Sequence, residues 1–198
     1  MLRKRLAFLY VPLLLTGGTL ATSPGLALAG PQDSKMAETP ETAAKLSEAF
    51  SVLHTVNQYA NTLGKMAPER AKSDLVKNYA SAMLTANANA DEKIMRIAKQ
   101  NGLNVAPLDP KTEDGKSLLD RINAETTMLN SLEGDAWDKE YMVLVTNTQQ
   151  SVIRMLKTHE ALAKDKEVKQ FFGELITVVQ NRLNTSQDIM AKVYGDKV

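Results

Sequence analysis

The chain has no cysteine. Disulfides, a thiolate nucleophile and thiolate metal sites are therefore excluded, as is a lipid carried on a cysteine after a leader. Neither sign of charge dominates, with 24 basic residues against 23 acidic ones. No clustered positive footprint is visible, which argues against nucleic acid or an anionic membrane surface as the main partner. After residue 30 no apolar run reaches the ~20 residues that a membrane span needs. Alternating strands of a membrane barrel are missing too. Strand signals are close to nil: residues 175–179 are rich in β-branched side chains but sit inside a longer helical period. There is no Gly-x-Ser-x-Gly turn and no nucleophile with a base and an orienting group. The paired carboxylates Glu113 and Asp114 fall in a loop, so no enzyme is expected.

What is present begins with Arg3, Lys4 and Arg5, followed by an apolar run from Leu6 to Leu15 and by Ala27-Leu28-Ala29. That order is a secretory signal peptide, residues 1–29, cleaved after Ala29. Pro12, Gly17 and Gly18 interrupt the stretch and argue against a membrane anchor. Removing 29 of the 198 residues leaves 169, the size of one domain, with 21 basic and 23 acidic residues and a net charge near −2. The mature protein is expected to be exported, periplasmic and soluble.

Residues 30–41 read as a flexible polar leader. The helical domain is expected over 42–195. Leu46, Phe50, Leu53, Asn57, Ala60, Gly64 and Ala67 recur in threes and fours and mark a first helix, about 43–67, with Pro68 ending it or sitting in its last turn. Ser73 is a candidate N-cap for a second, about 73–101, striped by Val76, Tyr79, Met83, Ala86, Ala90, Ile94 and Ile97 and stopped by Asn101-Gly102. Residues 103–114 form a loop with Pro107 and Pro110. A shorter helix follows at 116–132, ended by Gly134. Asp135 is the candidate cap of the next, 136–163, with Tyr141, Leu144, Thr148, Val152, Met155, His159 and Leu162 on one stripe. Asp165 opens the last, 166–194, whose stripe includes Val168, Phe172, Val179, Leu183 and Ser186. The fold class is all-α: an up-down antiparallel four-helix bundle with the short helix in the long central crossover.

Several blocks resemble a family of exported bacterial proteins known as predicted outer membrane proteins (domain of unknown function 4142). These are Val56-Asn57 with residues 63–67, residues 76–80 with Met83-Leu84, Ile97-Ala98 with Gly102-Leu103, residues 137–142 around Trp137-Asp138 and Tyr141, and residues 168–171. The resemblance spans about residues 45–194 and implies a ferritin-like bundle, with Asp138 and Tyr141 as a structural helix-start block. The departures are informative. Where the family usually has a Glu, an Asp-His pair and two further His, this chain has Ala60, Ala86-Asn87, Gln149 and Arg182. By that resemblance the metal-reaching side chains are replaced, and neither a metal nor another cofactor is expected.

The residues lead to the same expectation without the family. Di-metal bundles take a Glu-x-x-His motif on two helices, because residues three apart share a face. Ser51 precedes His54 by three and Leu156 precedes His159 by three. His159 reads as a ligand or pH switch, or, preferably, as a partly buried histidine favoured by the negative end of its helix. His54 is a boundary residue beside its stripe. Methionines at 66, 83, 95, 128, 142, 155 and 190 suit Cu(I) in principle, but their dispersal favours flexible core filler. Asn57, Asn147, Thr148 and Gln149 lie on or beside the inner faces of two helices. They fit a small polar pocket, which Asn87 and His159 would extend, or a hydrogen-bonded layer that fixes helix register; the layer is favoured. The expected function is a non-enzymatic exported bundle that binds an unknown protein or small-molecule ligand, with a part in envelope maintenance or stress. The alternative is a ferritin-like metal-binding protein or metal-dependent oxidoreductase. Ligand, partner and oligomeric state are not encoded in any motif.

Overall fold

Five α-helices and no strand make up the described residues, 38–195, of a computed structural model. The expected signal peptide at 1–29 and most of the leader lie outside the described residues. The helices are α1 (Pro40–Arg70), α2 (Asp74–Gln100), α3 (Glu113–Asn130), α4 (Gly134–Leu162) and α5 (Lys166–Tyr194).

Local chemistry sets each end, and it moves several boundaries from those the apolar period suggests. The leader was expected to run to residue 41, but α1 begins at Pro40. Thr39 is its N-cap, accepting from the Thr42 N–H at 3.2 Å, and proline suits the first helical position because that N–H has no partner anyway. Just before it, Glu38 Oε1 accepts from the N–H groups of Lys164 (2.7 Å) and Asp165 (3.0 Å). Pro68 does not end α1; it lies in the last turn, where the missing donor costs one bond, and the helix runs on to Arg70.

α2 ends in a Schellman turn. Leu103 N–H reaches Ala98 O at 2.9 Å and Gly102 N–H reaches Lys99 O at 3.2 Å. Gly102 takes φ +67°, which a side chain would disfavour. α3 starts at Glu113, earlier than the expected 116, because Thr112 caps it through the Gly115 N–H. α4 starts at Gly134 rather than after Asp135. Its N-cap is Glu133, with no side-chain cap bond, and Asp135 sits in the first turn, paired with Lys72 at 2.7 Å. Gly134, at φ +61°, makes an isolated bridge to Ala71. Asp165 caps α5 through the N–H groups of Glu167 and Val168.

α1 packs on α2, α4 on α5, α1 on α4 and α2 on α5, while α3 rests against α4. Contacts give the directions. His54 meets Asp91 and Gly64 meets Leu84, so α1 and α2 are antiparallel. Thr146 meets Ser186 and His159 meets Phe172, so α4 and α5 are antiparallel. Arg70 pairs with Glu133 at the α1–α4 end. The long helices therefore run up, down, down, up. α2 and α4 share a direction because the 103–112 loop and α3 carry the chain back, so strict up-down alternation does not hold.

The core falls into two clusters. One gathers Phe50, Phe171 and Phe172 with Leu46, Leu156 and Val168; the other gathers Trp137 and Tyr141 with Leu63, Val76 and Leu129. On α4 the buried face drifts by one position from the expected stripe, to Gln149, Ile153 and Leu156 in place of Thr148, Val152 and Met155. α4 is wedged between α1 and α5, and its buried face is set by both neighbours rather than by one seam. Leu162 is exposed as a result. Of the methionines, Met142 is fully buried, several pack half-buried against the core, and Met95 departs from the filler role at 42% exposure.

Candidate ligand site between the helices

Midway along the four long helices, their side chains line a partly open cavity of about 70 Å³. α1 supplies Val56, Asn57, Tyr59, Ala60 and Leu63; α2 supplies Met83 and Asn87. α4 contributes Tyr141, Leu144, Val145, Thr148, Gln149 and Val152, and α5 contributes Val179 and Arg182. Four of the expected pocket residues, Asn57, Asn87, Thr148 and Gln149, thus line one cavity. His159 does not. It lies ten residues beyond Gln149, ~15 Å along α4 at 1.5 Å per residue. There its Nδ1–H donates to Met155 O at 2.8 Å and its ring meets the edge of Phe172.

The hydrogen-bonded layer is also present, and Gln149 belongs to both. Its Nε2 donates to Tyr79 Oη at 2.6 Å, and its Oε1 lies 3.2 Å from Ser186 Oγ. Ser186 Oγ stands 3.0 Å from Thr146 Oγ1 and 2.8 Å from Leu183 O, so its single proton serves one acceptor at a time. Burial pushes the Tyr79 hydroxyl above its usual ionisation range, against the opposing bond from Gln149. Tyr79 and this tie between α2 and α4 were not singled out as a site in the sequence.

Arg182 is the other side chain that the sequence did not mark as part of a site. It stands three residues after Val179, hence on the same face of α5, and a cation on an apolar period is the signal it leaves. Its Nη1 donates to Asn87 Oδ1 at 3.0 Å and its Nη2 to Ala86 O at 3.3 Å. Burial pulls the guanidinium below its usual value, and the Tyr79 hydroxyl opposes that weakly. Beside the cavity, Tyr59 Oη donates to Glu125 Oε2 at 2.5 Å and ties α3 to α1.

The expected helix-start block works across elements. Asp138 is fully buried, and its Oδ2 accepts from Ser73 N–H at 2.7 Å while Oδ1 accepts from Lys72 N–H at 3.2 Å. It accepts from the N–H of the N-cap residue of α2, whose own side chain makes no cap bond. Tyr141 stacks on Trp137, centroids 4.7 Å apart, and reaches the cavity wall. His54, expected at a boundary, is half-buried: with the Gln58 amide donating to Nε2, its Nδ1–H donates to Asp91 at 2.8 Å.

Among the described residues no group of three or more His, Asp or Glu is placed to hold a metal ion. The positions where the resemblance implies metal ligands, Ala60, Asn87, Gln149 and Arg182, all meet at the cavity. A methyl group, two amides and a guanidinium do not form a ligand set for a cation. No helix among the described residues is long and apolar enough to cross a membrane.

In fold, the chain is similar to a Streptomyces coelicolor protein of the DUF305 type that is described as secreted, with a TM-score of 0.60 at 17% identity over 76% of this chain and 93% of that one. No curated protein matches it in sequence. The family model described as "Domain of unknown function (DUF4142)" matches residues 31–189, and the chain belongs to that family.

Proposed function

We propose that the protein is an exported, non-enzymatic ligand-binding bundle of ferritin-like arrangement, and that the inter-helix cavity is its ligand site. One observation carries this: polar side chains from four helices, far apart in sequence, converge on a partly open space that the core does not fill. Register could be fixed by the Tyr79–Gln149–Ser186 layer alone, so Asn57, Thr148 and the Asn87–Arg182 pair are left over for another use. The export reading rests on the basic start, the apolar run and Ala27-Leu28-Ala29. Its check is N-terminal sequencing of the protein from a periplasmic extract, where a chain starting at Gly30 is expected and one retaining Met1 would refute cleavage.

The ligand reading predicts that small solutes raise the melting temperature. At a hundredfold excess over Kd the gain is ~2.7 kcal/mol, or roughly 5–10 °C for a domain of this size. Ala60→Leu places extra carbons at the wall and should abolish the shift while leaving the helical content intact. A shift that survives cavity filling would put the ligand elsewhere and end this reading.

A further inference from the structure

Resting on the reading of the cavity as a ligand site, we infer that its ligand is a short-chain monocarboxylate, held by the Arg182 guanidinium with its alkyl end against the aliphatic wall. The charge comes first. No Asp or Glu lines the cavity, and among the described residues Arg182 has no carboxylate partner. Its two bonds go to a neutral amide and a backbone carbonyl, so part of its fork of donors has no protein acceptor. A half-buried cation without a counter-charge is costly, and an anion entering the site removes that cost.

The remaining polar lining points the same way. Asn57, Thr148 and Tyr141 line the cavity, and their side chains make no hydrogen bond within the described residues. Asn87 uses its oxygen on Arg182, which leaves its Nδ2–H₂ to donate. Asn57, Thr148 and Tyr141 each carry a donor as well as an acceptor, while Asn87 Oδ1 is engaged by Arg182 and Tyr79 Oη by Gln149. Every free side chain at the site can therefore donate, which suits an acceptor-only group, and a planar carboxylate matches the guanidinium fork.

Size and the apolar lining choose among anions. An apolar cavity of ~150 Å³ takes benzene, so one of about 70 Å³ takes roughly half as many heavy atoms, near the size of acetate. Val56, Leu63, Leu144, Val152 and Val179 give an aliphatic lining that a sulfate or phosphate, polar all round, would leave unmatched. Chloride would use the charge and leave that lining uncovered. A carboxylate with a short tail uses both.

The test is calorimetric titration of the folded protein with acetate, alongside the neutral isostere acetamide and sodium chloride, at fixed ionic strength. Acetate should bind, acetamide and chloride should not, and hexanoate should be excluded by size. Arg182→Gln should weaken acetate by about tenfold or more, as expected for loss of a charge-assisted bond. Arg182→Lys should recover part of it. Equal binding of acetamide, or acetate binding indifferent to Arg182→Gln, would overturn the carboxylate assignment while leaving the cavity as the site, provided Ala60→Leu abolishes it. Chloride competing as well as acetate would also overturn it. No binding of any of these solutes to the wild-type protein overturns the carboxylate. If the broader solute screen is silent as well, both readings fall.

Discussion

Replacing Phe172 with alanine should lower the melting temperature by about 10–15 °C. Large aromatic-to-alanine changes in a core cost ~3–5 kcal/mol, and each kcal/mol is worth roughly 2–4 °C at this domain size. The upper part of that range applies because Phe172 is fully buried and touches α1 and α4 at once. Its ring lies 5.3 Å from Phe50, 5.8 Å from Phe171 and 6.5 Å from His159. The neighbouring Phe171 is the control. It stacks on Phe50 at 5.6 Å, but Lys93 covers its other side at 5.6 Å and can follow a smaller side chain. Phe171→Ala should therefore cost less, and thermal unfolding of the two variants by circular dichroism compares them directly. Equal losses would mean that the α1–α4–α5 junction does not hinge on Phe172.

The second large effect is expected at Asp138. Asp138→Ala leaves the N–H groups of Lys72 and Ser73 without their acceptor at the start of α2. Losing a charged acceptor to buried donors costs ~2–4 kcal/mol, which predicts a fall of roughly 5–12 °C. The sign of its pH dependence is specific. Desolvation holds the Asp138 carboxyl above its ordinary 3.8, opposed by the backbone donors of Ser73 and Lys72. The folded protein therefore takes up this proton before the unfolded chain does. The contribution is fully present below 3.8 and is lost as pH rises through the folded value. The gap between wild type and Asp138→Ala should accordingly widen on going from neutral pH to about pH 4. Urea unfolding of both proteins at the two pH values measures it, and a gap that narrows on acidification would refute the raised carboxyl.

Asp138 also marks where sequence reading stops. Ser73 stands at the N-cap of α2, as its type and position suggest, yet its hydroxyl makes no cap bond. The acceptor for its N–H arrives from α4, 65 residues later, and no local pattern announces it. The same distinction runs through the fold. Helical periods and Gly or Asp stops are local, so the five helices, the Asp165 cap and the Asn101-Gly102 stop could be read directly. The drift on α4 from Thr148 to Gln149 could not, because it depends on two packing partners rather than on one amphipathic face. At the site, Asn57, Thr148 and Gln149 were legible as polar groups on inner faces, and Asn87 through the family blocks. Arg182 was visible as a departure from the family but not as a lining residue, since a lone arginine on a helix usually snorkels to water. His159 shares a stripe with Thr148 and so reads as a pocket residue, but a stripe fixes a face and says nothing of height along the axis.

The distribution of the cavity wall over two helical hairpins has a consequence for how the molecule comes together. The α1–α2 hairpin carries Asn57 and Asn87, and the α4–α5 hairpin carries Gln149 and Arg182, so neither half holds a complete site. Hairpin docking and site formation are one event, and a bound solute acts as a rivet through the seam. Its binding energy should then slow amide hydrogen exchange along the α1–α4 and α2–α5 seams, where the halves meet, more than at the tight α1–α2 and α4–α5 turns. Occupancy would thus be written into the lifetime of the closed form, and an empty chain would breathe open along that seam like a book.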